Sequence, residues 1–333
     1  MQGFDARFTD FPDYILAITK EIWEDRGIAT LHRYYAPEIV VRSPSGIVVG
    51  NQGVIAATMA TLAEFPDRTL LGEDVIWSGS PAQGMLSSHR LLSTATHSGA
   101  GVYGAPTGRK LAYRIIADCH ARDNRIDDEW LIRDQGAIVR QLGRDPAEFA
   151  RDQIARGGGP EACAKPFTPA RDKPGTYQGR GNGNSWGTRY GGILTRIMAA
   201  DFAAIPAAYD RAANLFLPGG VQGAGHADAD RFWIGLRAAF PDAVFAIHHS
   251  IGRDDPHMPP RAALRWSLHG KHSGWGAFGA PSGADVFIMG ISHAEFGPWS
   301  GADGRGGPGI RREYVLFDET AIWQQIVLHT GSL

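Results

Sequence analysis

The chain has 333 residues, 43% hydrophobic and 20% charged, a globular composition with length for about two domains. Lys+Arg 33 against Asp+Glu 35 leaves a net charge of −2, which argues against a nucleic-acid partner or an anionic membrane surface. Two cysteines, Cys119 and Cys163, exclude a disulfide framework and a four-cysteine zinc site. No apolar run approaches the ~18 residues of a transmembrane helix, and Met1 to Asp13 lack the apolar core of a signal peptide. The expectation is a cytoplasmic protein of a reducing compartment, with no nucleic-acid or membrane partner.

In chain order, Ile15, Ile18, Ile22 and Trp23 recur at helical spacing over 13–26, with Gly27 as a stop. Asn51 is placed to cap a second helix carrying Ile55, Met59 and Leu62 and closed by Pro66. Strand-like stretches follow over 69–77, 85–97, 110–121 and 126–134, separated by Gly-Pro or Asp-Asn turns. Helices followed by an antiparallel meander predict an α+β fold. Its four-stranded sheet would curl over the helices and enclose a space for a ligand.

The pattern then repeats. "TATHSGAGVYGAPTG" (94–108) aligns with "HGKHSGWGAFGAPSG" (269–283) at an offset of 175, with eight of fifteen positions identical. Phe65-Pro66-Asp67 and Phe240-Pro241-Asp242 share that offset, and "EWLIRDQGAIVRQ" (129–141) matches "EYVLFDETAIWQQ" (313–325) at an offset of 184. The nine additional residues are expected as a loop near Pro298 to Gly309, "PWSGADGRGGPG". So long a period means duplicated domains and not a solenoid. We expect domains over 1–150 and 190–333, joined by a Gly/Pro-rich linker over 151–189. "GRGNGNSWG" (179–187) lacks the Lys-Ser/Thr of a phosphate-binding loop and belongs to that linker.

The strand ending in Thr96-His97, then Gly101, "GAPTGR" (104–109), the turn at Asp123-Asn124-Arg125-Ile126, Glu129-Trp130 and Asp134 together resemble the SnoaL-like polyketide cyclase family, within the nuclear-transport-factor-2-like group. The second copy keeps "KHSG", "GAPSG", Glu313-Tyr314 and Asp318, with Ala284 in place of the Arg. The resemblance implies two tandem cone-shaped α+β barrels, each a curved antiparallel sheet wrapped on helices. It also implies a pocket for a small, mostly apolar molecule and chemistry without an organic cofactor. Single-copy relatives pair through their sheets, so an intramolecular pseudo-dimer of the repeats is expected, open to further homo-oligomerisation. The cyclases share a His and an Asp on the last two strands; those positions fall here at Ala117 and Leu131, and near Ser292 and Val315 in the second copy.

Candidate acid–base residues are His97 with Glu129 or Asp134, and His272 with Glu313 or Asp318. A His in an apolar setting beside a carboxylate can take and return a proton. Each also has a structural reading: the histidines can fix Gly-rich turns, and the aspartates can cap the turns that follow. A buried Glu129 or Glu313 would have a raised pKa suited to a general acid. His89, Tyr113, Trp130 and Trp266 are candidates for substrate contact, with Tyr34 and Tyr209 as further aromatics that serve equally well as core. Cys119, on the apolar parity of its strand, reads as a small buried hydrophobe. No HExxH or facial-triad spacing occurs, so no metal is expected. The functional expectation is general acid–base catalysis (cyclase, isomerase or hydrolase-like) on a small apolar or carbonyl-bearing metabolite; the alternative is a non-catalytic protein that binds a hydrophobic ligand.

Overall fold

The computed structural model describes residues 1–298 and 307–331. It divides into two compact units: Met1–Asp145 with Phe167–Gly179, and Pro146–Pro166 with Arg180–Leu333. The bulk of the expected nine-residue insertion, 299–306, lies outside the described residues.

In the first lobe, helix α1 (Phe11–Thr19) starts where the Asp10 carboxylate accepts the Asp13 N–H at 2.8 Å, with a proline in its first turn. A π-turn over Lys20–Glu24 carries the coil to Ile22. Short α2 (Leu31–Tyr34) leads into β1 (Tyr35–Ser43) and β2 (Gly46–Val49). Next come α3 (Asn51–Glu64), β3 (Thr69–Ser80), β4 (Gly84–Thr96), β5 (Lys110–Arg122), β6 (Arg125–Arg133) and α4 (Gln135–Gln141). Asn51 does not cap α3: Gly50 holds that position, and the Asn51 amide donates to the Tyr35 carbonyl at 3.3 Å.

The sheet has six strands, not four, in the order β2-β1-β6-β5-β4-β3, and it is mixed because β1 runs parallel to β6. The β5–β6 turn places Asp123 and Asn124 at φ 49° and 63°, a left-handed pair that Asn and Asp tolerate better than other non-glycine residues. Alternation puts Ala117, Cys119 and Ala121 of β5 on the inner face, against Tyr14, Ile15, Ile18 and Ile22.

The second lobe repeats this plan. Helix α5 (Pro146–Arg156) packs with the closing helix α9 (Glu319–Thr330), so the region expected to open the linker is partly helical. Then follow α6 (Ser185–Met198), α7 (Ala204–Ala208), β7 (Tyr209–Leu217), β8 (Val221–Ala224), α8 (Gly225–Ala239), β9 (Val244–Arg253), β10 (Arg261–Lys271), β11 (Asp285–Gly297) and β12 (Gly309–Leu316). The sheet order is β8-β7-β12-β11-β10-β9, with β7 parallel to β12. Topology, handed down strand for strand, therefore follows the offsets read from the repeat.

Candidate functional site

His97 and His272 are fully buried and belong to the turns that follow β4 and β10. The His97 backbone accepts from Thr107 and Gly108 and donates to the Arg109 carbonyl, while Nδ1 pairs with Thr107 Oγ1 at 3.1 Å. Its Nε2 lies 3.3 Å from Glu64 Oε1, and the other task of that carboxylate is to accept the Val102 and Tyr103 N–H groups at 3.0 and 2.8 Å. His272 repeats the arrangement with Ser282 Oγ at 3.0 Å and with Ser282, Gly283 and Ala284. Glu64 has no counterpart there; the equivalent residue is Ala239. Burial holds the His272 imidazole below its ordinary pKa. Both histidines thus pin Gly-rich turns.

Asp134 and Asp318 stand at helix starts. Asp134 accepts the Ala137 N–H at 3.0 Å, capping α4, and Asp318 accepts the Thr320 N–H and hydroxyl at 2.9 and 2.7 Å, capping α9. Trp130 is on the outer face: strand alternation turns it away from Glu129, under the Arg42 guanidinium at 4.6 Å and beside Tyr177. Arg42 in turn pairs with buried Asp128.

Glu129 and Glu313 face inward. Each is buried, and desolvation raises each carboxyl from 4.5 to about 7, against the opposing pull of its hydrogen-bond partners. Those partners are Tyr35 and the Cys119 thiol for Glu129. For Glu313 they are Tyr190 and Tyr209, whose hydroxyls donate at 2.8 Å each to Oε1, Tyr209 reaching Oε2 as well at 2.9 Å. The Trp233 indole N–H donates onward to the Tyr209 oxygen at 3.2 Å.

The inner faces otherwise differ in kind. Register sets His89 opposite Ala117 and Ala117 opposite Leu131; the next row is Ser87, Cys119 and Glu129, and Ser93 pairs with Tyr113. His89 is buried, its Nδ1 3.1 Å from Ser87 Oγ, and desolvation lowers its pKa to about 4, so it is neutral near pH 7. At the repeat offsets, Ser87, His89, Ser93 and Tyr113 become Ala262, Leu264, Leu268 and Ile288, and Arg68 and Arg133 become Ala243 and Phe317. All six replacements are buried apolar residues of one core.

Trp266, a candidate for substrate contact, instead fills the middle of that core. It packs on Phe245 and Phe317, its N–H donates to Ser292 Oγ at 2.8 Å, and a Cβ on its partner Gly290 would lie 2.2 Å from its ring. Tyr34 and Tyr209 are likewise fully buried. Arg68, Arg133, Ser87 and Ser93 were not foreseen, since a lone Ser or Arg in or beside a strand carries no signal. The usable signal was the loss of polarity between the copies.

A cavity of about 470 Å³ in the second lobe is lined by Trp186, Asn214, Pro260, Phe296 and Arg311, away from every residue above. Among the described residues, no cluster of three or more His, Cys, Asp or Glu could hold a metal ion, and no helix is long and apolar enough to cross a membrane.

The halves are thus two α+β units of one topology, each with helices packed on a six-stranded mixed sheet. Residues 14–142 match the model of the SnoaL-like polyketide cyclase family. Similar solved structures each span about one lobe. IdmH from Streptomyces antibioticus is 26% identical over 40% of this chain and 97% of its own, with a TM-score of 0.35. AclR from Streptomyces galilaeus is 18% identical over 40% and 98%, TM-score 0.35, and TsrD from Streptomyces laurentii 17% identical over 39% and 95%, TM-score 0.34. No match is found among curated proteins. The first lobe therefore matches the SnoaL-like polyketide cyclase family model, and the second lobe repeats the first lobe's topology.

Proposed function

We propose that the first lobe binds a small, carbonyl-bearing metabolite and performs general acid–base chemistry on it without an organic cofactor, Glu129 carrying the proton. The observation behind this reading is the contrast between the inner faces: at six equivalent positions the first lobe is polar where the second is apolar. A raised carboxyl alone would not distinguish them, because Glu313 has one too. Both carboxyls are buried and hydrogen-bonded, Glu313 by Tyr190 and Tyr209 and Glu129 by Tyr35 and the Cys119 thiol, but only Glu129 shares its face with neutral His89 and Ser87.

A carboxyl of pKa about 7 is part carboxylate and part acid at neutral pH, the condition for taking a proton from carbon next to a carbonyl and returning it. His89 stands two strands from Glu129, about 10 Å across the sheet, and its imidazole could donate to the developing enolate oxygen. Of the positions where related cyclases carry His and Asp, Ala117 is the neighbour of His89 on the next strand and Leu131 is two residues from Glu129 on its own strand, so the acid–base groups here would be shifted by one strand and by two residues.

Deuterium incorporation next to the carbonyl of 2-tetralone, followed by NMR in D2O, tests this. The intact chain is expected to exchange above buffer, Glu129→Gln to lose that rate by about 10²-fold or more, and Glu313→Gln to keep it. Loss of exchange in Glu313→Gln, or none in the native chain, overturns the assignment; tight tetralone binding without exchange would favour a non-catalytic binding protein.

A further inference from the structure

Four groups at one end of the first lobe's inner face have no role in the account above. Arg68, immediately before β3, is 4% exposed, Tyr113 2% and Ser93 0%; Arg133, the last residue of β6, is half-buried. Register brings them together: Ser93 of β4 faces Leu70 of β3 on one side and Tyr113 of β5 on the other, and Arg133 faces Ile115 in the adjoining row. The protein leaves them under-satisfied. Arg68 Nε, Arg133 Nε and the Ser93 hydroxyl are buried without a hydrogen-bond partner, the Tyr113 hydroxyl has no partner beyond the adjacent Arg68 guanidinium, and no described carboxylate pairs with either guanidinium.

Such an arrangement is unfavourable by itself. Desolvation, and after it the neighbouring Arg133 guanidinium, depress the Arg68 pKa to about 10, which still leaves Arg68 charged at neutral pH beside a second guanidinium. Buried donors left unmade are costly, and buried like charges more so. An oxyanion removes both penalties at once, since it neutralises the pair and accepts from guanidinium and hydroxyl donors in the geometry those groups favour. The second lobe has Ala243, Leu268, Ile288 and Phe317 at these four positions, all buried and apolar.

We infer that Arg68, Arg133, Tyr113 and Ser93 form an oxyanion site, and that the ligand of this lobe carries a carboxylate or phosphate at that end of an apolar body. This rests on the reading of the first lobe as the ligand lobe. Arg133 and Glu129 are four residues apart on one strand, about 13 Å, a span suited to a bicyclic acid with its anionic group at the arginines and its reacting carbon toward Glu129.

The test is calorimetric titration of the intact chain at pH 7.5 and low salt with 2-naphthoate, 2-naphthyl phosphate and the neutral 2-naphthamide. At least one anion is expected to bind tenfold or more tighter than the amide, and which one does identifies the anion class. In Arg68→Gln/Arg133→Gln the preference is expected to fall below threefold while amide affinity stays within twofold. Arg133→Gln alone, at a half-buried position, is expected to give an intermediate loss and keeps the test readable should the double variant not fold. Amide binding as tight as both anions, or a tenfold preference retained in the double variant, overturns the oxyanion site and leaves the ligand-lobe reading standing. Failure of all three probes to bind overturns both.

Discussion

Glu129 and Glu313 tie the protein's stability to pH. Each carboxyl is about 7 when folded against an ordinary 4.5, so the folded state holds its proton more tightly than the unfolded chain does. The contribution is fully present below pH 4.5 and is lost as pH rises through 7, on the order of 3 kcal/mol each. His89 works the other way: held at about 4, it favours the fold above its ordinary 6.5 and loses that contribution as pH falls toward 4. His249, held at about 3, acts in the same sense as His89, and burial lowers His248 and His272 as well, so the histidines oppose the carboxyls until they are deprotonated in the unfolded chain too. Comparison with a variant isolates the carboxyl: Glu313→Gln, which keeps an acceptor for Tyr190 and Tyr209, should melt higher than the native chain at pH 8 but not at pH 4.5. Identical slopes in the two proteins would contradict the assignment. Legibility at this scale was uneven. His97 and His272 stood out because both copies keep them, but retention reflected the turns they hold. Arg68 was illegible, because nothing local distinguishes a buried arginine from a solvated one until register brings Tyr113 and Arg133 beside it.

Strand alternation was the readable part of the elements. Placing Tyr113, Ile115, Ala117 and Cys119 on one face of β5, and Glu129 with Leu131 on one face of β6, needed only a period of two. Strand β1 was not readable: Pro37 and Glu38 break its alternation, and its main partner, β6, is parallel and distant in the chain. The same pleat explains Gly290. It stands opposite Trp266, and a methyl group there would meet the indole ring at 2.2 Å. Gly290→Ala is expected to cost about 1–3 kcal/mol by overpacking, measured by urea denaturation. Combined with Trp266→Leu the costs should be less than additive by at least ~1 kcal/mol. Strict additivity would mean that the glycine is there for its backbone alone.

For the molecule as a whole, duplication was plain from three blocks agreeing in order, and the second lobe's topology matches the first strand for strand. What the repeat alone could not reveal was how unlike the two interiors are, since that depends on which residues share an interior. Polar groups at six positions of one lobe and apolar ones at the equivalent positions of the other are the outcome. The large indole at the centre of the second lobe has a consequence of its own. Trimming it (Trp266→Ala) would hollow out a dry, apolar chamber of its own shape, at a cost of about 3–5 kcal/mol, with Ser292 waiting to receive an N–H. Added indole should enter that vacancy and raise the melting temperature of the trimmed protein, one guest per chain, while leaving the native protein unmoved.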